Sequence, residues 1–128
     1  MNVVDTSAIV AVLFDEGGGA EVEQRLLDGP SVMSAATRVE LGIVIEAKKG
    51  SAGTQLLDEL LARVGIEVVP VDGELAQEAI VAWRRFGNGR HQAGLNFGDV
   101  FSYALARRLG QPLLFVGDDF SHTDVNLP

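Results

Sequence analysis

Leu113-Leu114-Phe115-Val116, followed at once by Gly117-Asp118-Asp119, carries the architecture in miniature. Four apolar residues in a row, with no polar alternation, describe a strand covered on both faces; a sheet with one wet face would turn every second residue polar. Such strands belong to parallel sheets sandwiched between helices. Working outward, the same pattern recurs at Asn2-Val3-Val4, at Ser31-Val32-Met33-Ser34 after the Gly29-Pro30 turn, and at Ile66-Glu67-Val68-Val69-Pro70. Helix-length segments separate these runs. Thr6 or Ser7 is placed to cap a helix carrying Ile9, Val10, Leu13 and Phe14. Gly17-Gly18-Gly19 breaks it, and a short helix is expected over Ala20 to Leu27. Ala35 to Lys49 forms the next, ended by Gly50, with a further helical stripe at Leu56, Leu57, Leu60, Leu61 and Val64. Asp72 to Phe86 is another helix, followed by a glycine-rich loop from Gly87 to Leu95. Asn96 then caps a last helix, closed by Gly110. Strands alternating with helices imply right-handed crossovers and a three-layer α/β sandwich around a parallel sheet of four to five strands. With no repeat, low-complexity stretch or linker, residues 1–128 are expected to form one domain.

Composition narrows the classes. At 47% hydrophobic residues the chain is suited to a packed core and not to disorder. No apolar run reaches the roughly 18 residues that a membrane span needs, and the acid at Asp5 follows too soon for a secretory leader. The absence of cysteine excludes a disulfide framework and thiolate metal sites. A cytoplasmic location is the resulting expectation. The net charge of −8 argues against binding nucleic acid, since phosphates are held largely by Lys and Arg. That objection weakens where acids gather around divalent ions, which present positive charge to a phosphate.

Sites in open parallel sheets form at the carboxyl ends of the strands. Asp5 ends the first strand, and Asp118 and Asp119 follow the fourth. Glu40 lies in the helix after the second strand, roughly 9 Å from its start. Asp99 sits in the first turn of the helix that Asn96 opens. Carboxylates brought together repel one another unless a cation lies between them, and hard divalent ions with oxygen ligands suit that role. Each acid also has a purely structural use: Asp5 as a helix cap, Asp99 in a capping-box position, Glu40 on a wet helix face, and Asp118-Asp119 in a turn.

The segments VVDTSAIVAVLFDE (residues 3–16), SAATRVELGIVI (34–45), GNGRHQAGLNFGDVFSYALAR (87–107) and LLFVGDDFSHTDV (113–125) together resemble the PIN-domain nucleases, and within them the VapC-type toxins of type II toxin–antitoxin systems. The resemblance spans essentially the whole chain, with four motifs in order. It implies a five-stranded parallel sheet and endoribonuclease activity dependent on Mg2+ or Mn2+. It also implies an RNA substrate, a cognate VapB-type antitoxin, and a homodimer or toxin–antitoxin hetero-oligomer. Asp5, Glu40, Asp99 and Asp119 become the catalytic acids, with Asp5 and Asp99 as metal ligands. Asp118 is the second choice for the fourth acid, because the family pattern tolerates Asn in that slot. Thr6 and Ser7 would bind a phosphate or orient a water.

Arg90 and His91, in the glycine-rich loop before Asp99, are candidate RNA contacts or simply part of an exposed loop. Phe97, Phe101 and Tyr103 are expected in the core. Apolar surplus around Leu56–Leu61 and on the Asp72–Phe86 helix is expected to meet a second copy or the antitoxin. The competing class is a catalytically silent α/β binding or regulatory domain with a Mg2+ site. A response-regulator-like module would want a Lys after a late strand, yet no Lys follows Lys49. A phosphatase of the haloacid-dehalogenase type would want Asp-x-Asp where this chain has Asp5-Thr6-Ser7.

Overall fold

The computed structural model describes residues 1–128. Strands β1 (Asn2–Val4), β2 (Ser31–Ser34), β3 (Glu67–Val69) and β4 (Leu113–Leu114) form one parallel sheet in the order β3-β2-β1-β4. Val3 stands opposite Val32 on one side and Leu113 on the other. These three side chains enter one core, while Val4, Met33 and Leu114, one residue further along, enter the other. The period of two along each strand therefore divides the apolar residues between two layers; β1, β2 and β4 are covered on both faces, while the edge strand β3 is exposed at Glu67 and Val68.

Helices α1 (Thr6–Leu13), α2 (Gly19–Asp28) and α3 (Ala35–Val64) cover the Val4 face through Ile9, Leu26, Leu41, Ile45 and Leu57. Helices α4 (Gly73–Phe86) and α5 (Phe97–Leu109) cover the Val3 face through Leu75, Phe86, Val100 and Leu105. The break foreseen at Gly50 is a kink inside α3: Gly50 adopts φ 62° and ψ −157°, a conformation that only glycine takes without strain. No helix is long and apolar enough to cross a membrane.

Three expectations need correcting. The sheet has four strands, within the four to five expected from the alternation of strands and helices, and lacks the fifth that the family resemblance implied. The C-terminal segment does lie beside β4, where Leu113 N–H donates to Asn126 O at 3.0 Å. Its Asp, Asn and Pro residues are poor strand formers, and Asp124 is tied to Tyr103 and Arg85. Helix α1 is capped by Asp5, whose carboxylate accepts from Ser7 N–H, and not by Thr6 or Ser7. Phe97, the first residue of α5, is 79% exposed instead of buried; its ring meets Phe101 edge-on at 5.1 Å and lines an open apolar groove with Ile80 and Trp83. Phe101 and Tyr103 do pack against the core.

Candidate active site

Three helix N-termini meet at the carboxyl edge of the sheet, and each delivers part of the site. Asp5 directly follows β1 and is only 3% exposed. Its Oδ2 accepts from Ser7 N–H at 3.1 Å and from Ser7 Oγ at 2.7 Å, and its Oδ1 accepts from Ser102 Oγ at 2.6 Å. The carboxylate is thus fixed in one orientation, and its capping of α1 coexists with its place in the site. Ser7 Oγ in turn accepts from Val116 N–H at 3.1 Å, which ties the end of the β4 segment to the same point. Ser102 also lies 3.4 Å from Thr37 Oγ1, in a buried hydroxyl row that reaches Ser34, the cap of α3.

Glu40, on the second turn of α3, accepts from Thr6 Oγ1 at 2.5 Å. It lies so close to α5 that a methyl group on Gly98 would fall 1.9 Å from Glu40 Oε2; glycine at that position is a steric condition for the acid's approach. Next along, Asp99 completes the capping box of α5: Asn96 N–H donates to Asp99 Oδ2 at 3.0 Å, and Asp99 N–H donates to Asn96 Oδ1 at 2.9 Å. Burial pushes the Asp99 carboxyl up to about 7; the Asn96 N–H pulls the other way, and the negative fields of Asp5, Asp119 and Glu40 add to the rise. Asp118 and Asp119 follow β4. Both residues are exposed, with Asp119 opening a 3-10 turn that runs to His122.

Asp5, Thr6, Ser7, Glu40 and Asp99 share a cleft of about 270 Å³. None of the molecule's ion pairs involves Asp5, Glu40, Asp99, Asp118 or Asp119. The donors are all carboxylate oxygens, the set that hard divalent ions such as Mg2+ prefer. No three of them close in as a finished cage. Unneutralised carboxylates hold apart, and here Glu40 is drawn to Thr6 and Asp99 to Asn96.

A family model described as PIN domain matches residues 3–126. The chain belongs to the PIN-domain family. This PIN domain is 50% identical to Ribonuclease VapC of Mycolicibacterium smegmatis, over 96% of each chain. It is 48% identical to Ribonuclease VapC30 of Mycobacterium tuberculosis, over 96% of this chain and 95% of that one. Relatives this similar, matched over nearly their full length, place it among the VapC ribonucleases. Of solved structures, Mycobacterium tuberculosis VapC20, described as a sarcin-ricin loop cleaving toxin, superposes with a TM-score of 0.78 at 18% identity, covering 98% of this chain and 96% of that one. VapBC2 from Rickettsia felis, bound to a DNA fragment from its promoter, gives a TM-score of 0.70 at 15% identity, covering 99% and 96%. At these identities the two structures speak to the fold.

Other residues singled out in the sequence fall elsewhere. In this PIN domain Arg90 lies over the Trp83 ring at 4.8 Å and donates to Arg84 O, while His91 Nδ1 accepts from Ala93 N–H and its ring meets Phe86 edge-on. Neither lines the acid cleft. Sequence reasoning missed Ser102, Glu16 and Lys48. Ser102 follows Asp99 by three residues and Lys48 follows Glu40 by eight, helical spacings that put each on the same face as its acid; Glu16, beyond the end of α1, carried no comparable signal.

Proposed function

We propose that this protein is an endoribonuclease dependent on Mg2+ or Mn2+, acting in the cytoplasm as the toxin of a pair with a VapB-type antitoxin. One observation carries the reading: the fold brings Asp5, Glu40 and Asp99 from three separate elements to one cleft, and none of them forms an ion pair with a basic side chain. Clustered acids without counter-charge cost stability, and a divalent ion repays that cost.

Asp5 and Asp99 would hold the principal ion, with Glu40 and Asp119 completing the cluster through waters or a second ion. Of the two acids after β4, Asp119 is preferred because its field reaches Asp99. When bound, the ion lowers the pKa of a water and offsets charge on the scissile phosphate. The protein's own contribution is orientation. Ser7 and Ser102 fix both oxygens of Asp5, Thr6 holds Glu40, and Asn96 steadies Asp99. The hydroxyls of Thr6 and Ser7 are therefore positioning groups for acids. Arg90 and His91 would meet RNA away from the scissile bond. The exposed apolar side chains Val39, Ile43, Ile80, Trp83 and Phe97 suit burial in a homodimer or against the antitoxin.

The test is cleavage of RNA by Asp5→Asn and Asp99→Asn, each checked for folding by circular dichroism. Both are expected to lose Mg2+-dependent cleavage. Folded variants cutting at the wild-type rate would overturn the assignment and leave a silent binding domain.

A further inference from the structure

A protein of net charge −8 that handles RNA must find positive charge for the phosphates near its acids. Most of its arginines are engaged elsewhere: Arg38, Arg63, Arg85, Arg107 and Arg108 each pair with an acid outside the cleft. The chain has two lysines, Lys48 and Lys49, adjacent on α3. Neither forms an ion pair, both are exposed, and their ammonium groups lie 5.6 and 5.5 Å from the centroid of the same ring, Phe14. Lys48 is the one basic residue lining the acid cleft. Glu40, Val44 and Lys48 follow at intervals of four, which puts them on one stripe of the helix, with Lys48 about 12 Å further along the axis than Glu40.

We propose that Lys48, reinforced by Lys49, binds a backbone phosphate of the RNA beside the scissile one, with Phe14 holding the two ammonium groups at the lip of the cleft. The proposal rests on the ribonuclease reading. A cation directly inside the acid cluster would compete with a divalent ion for the carboxylates. Placed two turns away, it attracts the strand without filling the metal position. The half-buried Phe14 face favours both ammonium groups by cation–π attraction and so limits the entropy lost when they engage a phosphate.

The test uses the full chain and a fluorescent single-stranded RNA of mixed sequence. Binding is measured by anisotropy in the uncut Asp99→Asn background, across a range of salt. Lys48→Gln is expected to weaken binding several-fold and to lower the slope of log affinity against log salt by about 0.7, and adding Lys49→Gln by about as much again. Lys48→Arg is expected to restore the slope. In the cleavage-competent chain, Lys48→Gln is expected to raise KM more than it lowers kcat. An unchanged salt slope in the doubly substituted chain, while the parent binds and cuts RNA, overturns the inference and leaves the ribonuclease reading standing. So does an equal loss in Lys48→Arg accompanied by a lowered melting temperature, which marks a structural role. A parent that neither binds nor cuts RNA removes the ribonuclease reading, and this inference with it.

Discussion

Asp99 and Asp124 are both acids held by helix α5, and the molecule treats them in opposite ways. Asp124 is anchored from three directions. The Tyr103 hydroxyl donates to it, and Arg85 and Arg107 approach at 3.4 and 3.8 Å. Burial works against its charge, yet the Tyr103 hydrogen bond and then the two guanidinium groups outweigh that and hold the carboxyl below its ordinary value. Tyr103 answers in kind: burial, then its bond to Asp124, pushes the phenol up to about 12. At Asp99 burial is opposed by the Asn96 N–H alone, the charges that reach it are all acidic, and the carboxyl rises to about 7. A carboxylate that completes a structure is given its counter-charge by the chain; one whose counter-charge is absent awaits it from outside. That contrast separates structural electrostatics from functional electrostatics around a single helix.

The sharpest way to break the contrast is to neutralise each acid. Asp99→Asn keeps an oxygen for the Asn96 N–H and removes the unanswered charge. It is expected to abolish RNA cleavage while raising the melting temperature of the metal-free protein by about 2–5 °C, as repulsion is relieved. A variant that melts lower than wild type without metal would show that Asp99 is a structural acid after all. Second in size is Gly98→Ala. The added methyl displaces the end of the flexible Glu40 side chain, so the fold is expected to survive, with a melting temperature within about 2 °C of wild type. The acid would nevertheless lose its seat beside Asp99, and cleavage or metal affinity is expected to drop about 10- to 100-fold. Full activity in this variant would mean that Glu40 does not work from its observed position.

Much of this was legible in the chain. Unbroken apolar runs such as Val3-Val4 and Leu113-Leu114 announce a doubly covered parallel sheet, because burial on both faces leaves no room for alternation. The acids at Asp5 and Asp99 were placed by strand ends and by the Asn96 cap. The rest depended on distances between residues remote in sequence. Ser102 reaches Asp5 across 97 positions, and nothing local marks a serine in a helix as the partner of a strand-end acid. The need for glycine at Gly98 comes from Glu40 on another helix. Phe97 carried the wrong sign: an aromatic in an apolar helix suggests core, but this one lines an open groove between α4 and α5. Arg90 and His91, at the start of the third motif in sequence, fold back onto Trp83 and Phe86, contacts that sequence proximity to Asp99 did not announce.

On the structural side of the contrast, Asp124→Asn is expected to leave cleavage intact. It would cost stability of about 1 kcal/mol, since the Tyr103 and Arg85 groups lose a charged acceptor that is partly open to solvent; a thermal melt read beside a cleavage assay checks both. Losing cleavage as well would mean that the C-terminal clasp also governs the acid cleft.

The effect that is most gradual, and the one that joins the two acids, is the pH dependence of stability in the metal-free protein. Asp99 titrates near 7 when folded and near about 3.9 when unfolded. Between those values the folded chain holds a proton that the unfolded chain has released, so stability falls as pH rises from about 4 to 7 and levels off above. The slope stays below about 1.4 kcal/mol per pH unit for one proton, and solvent reaching the half-buried group reduces it further. Asp124 has the opposite sign. Its folded pKa is depressed, so its contribution is present above its unfolded value of about 3.9 and is lost as pH falls below that. Denaturant titrations at successive pH values are expected to show Asp99→Asn flattening the upper limb and Asp124→Asn the lower. Saturating Mg2+ should erase the upper limb without mutation, because an ion bound to the ionised carboxylate removes the advantage of the proton. An upper limb that persists unchanged in Asp99→Asn would assign the titration to another group and dissolve the contrast.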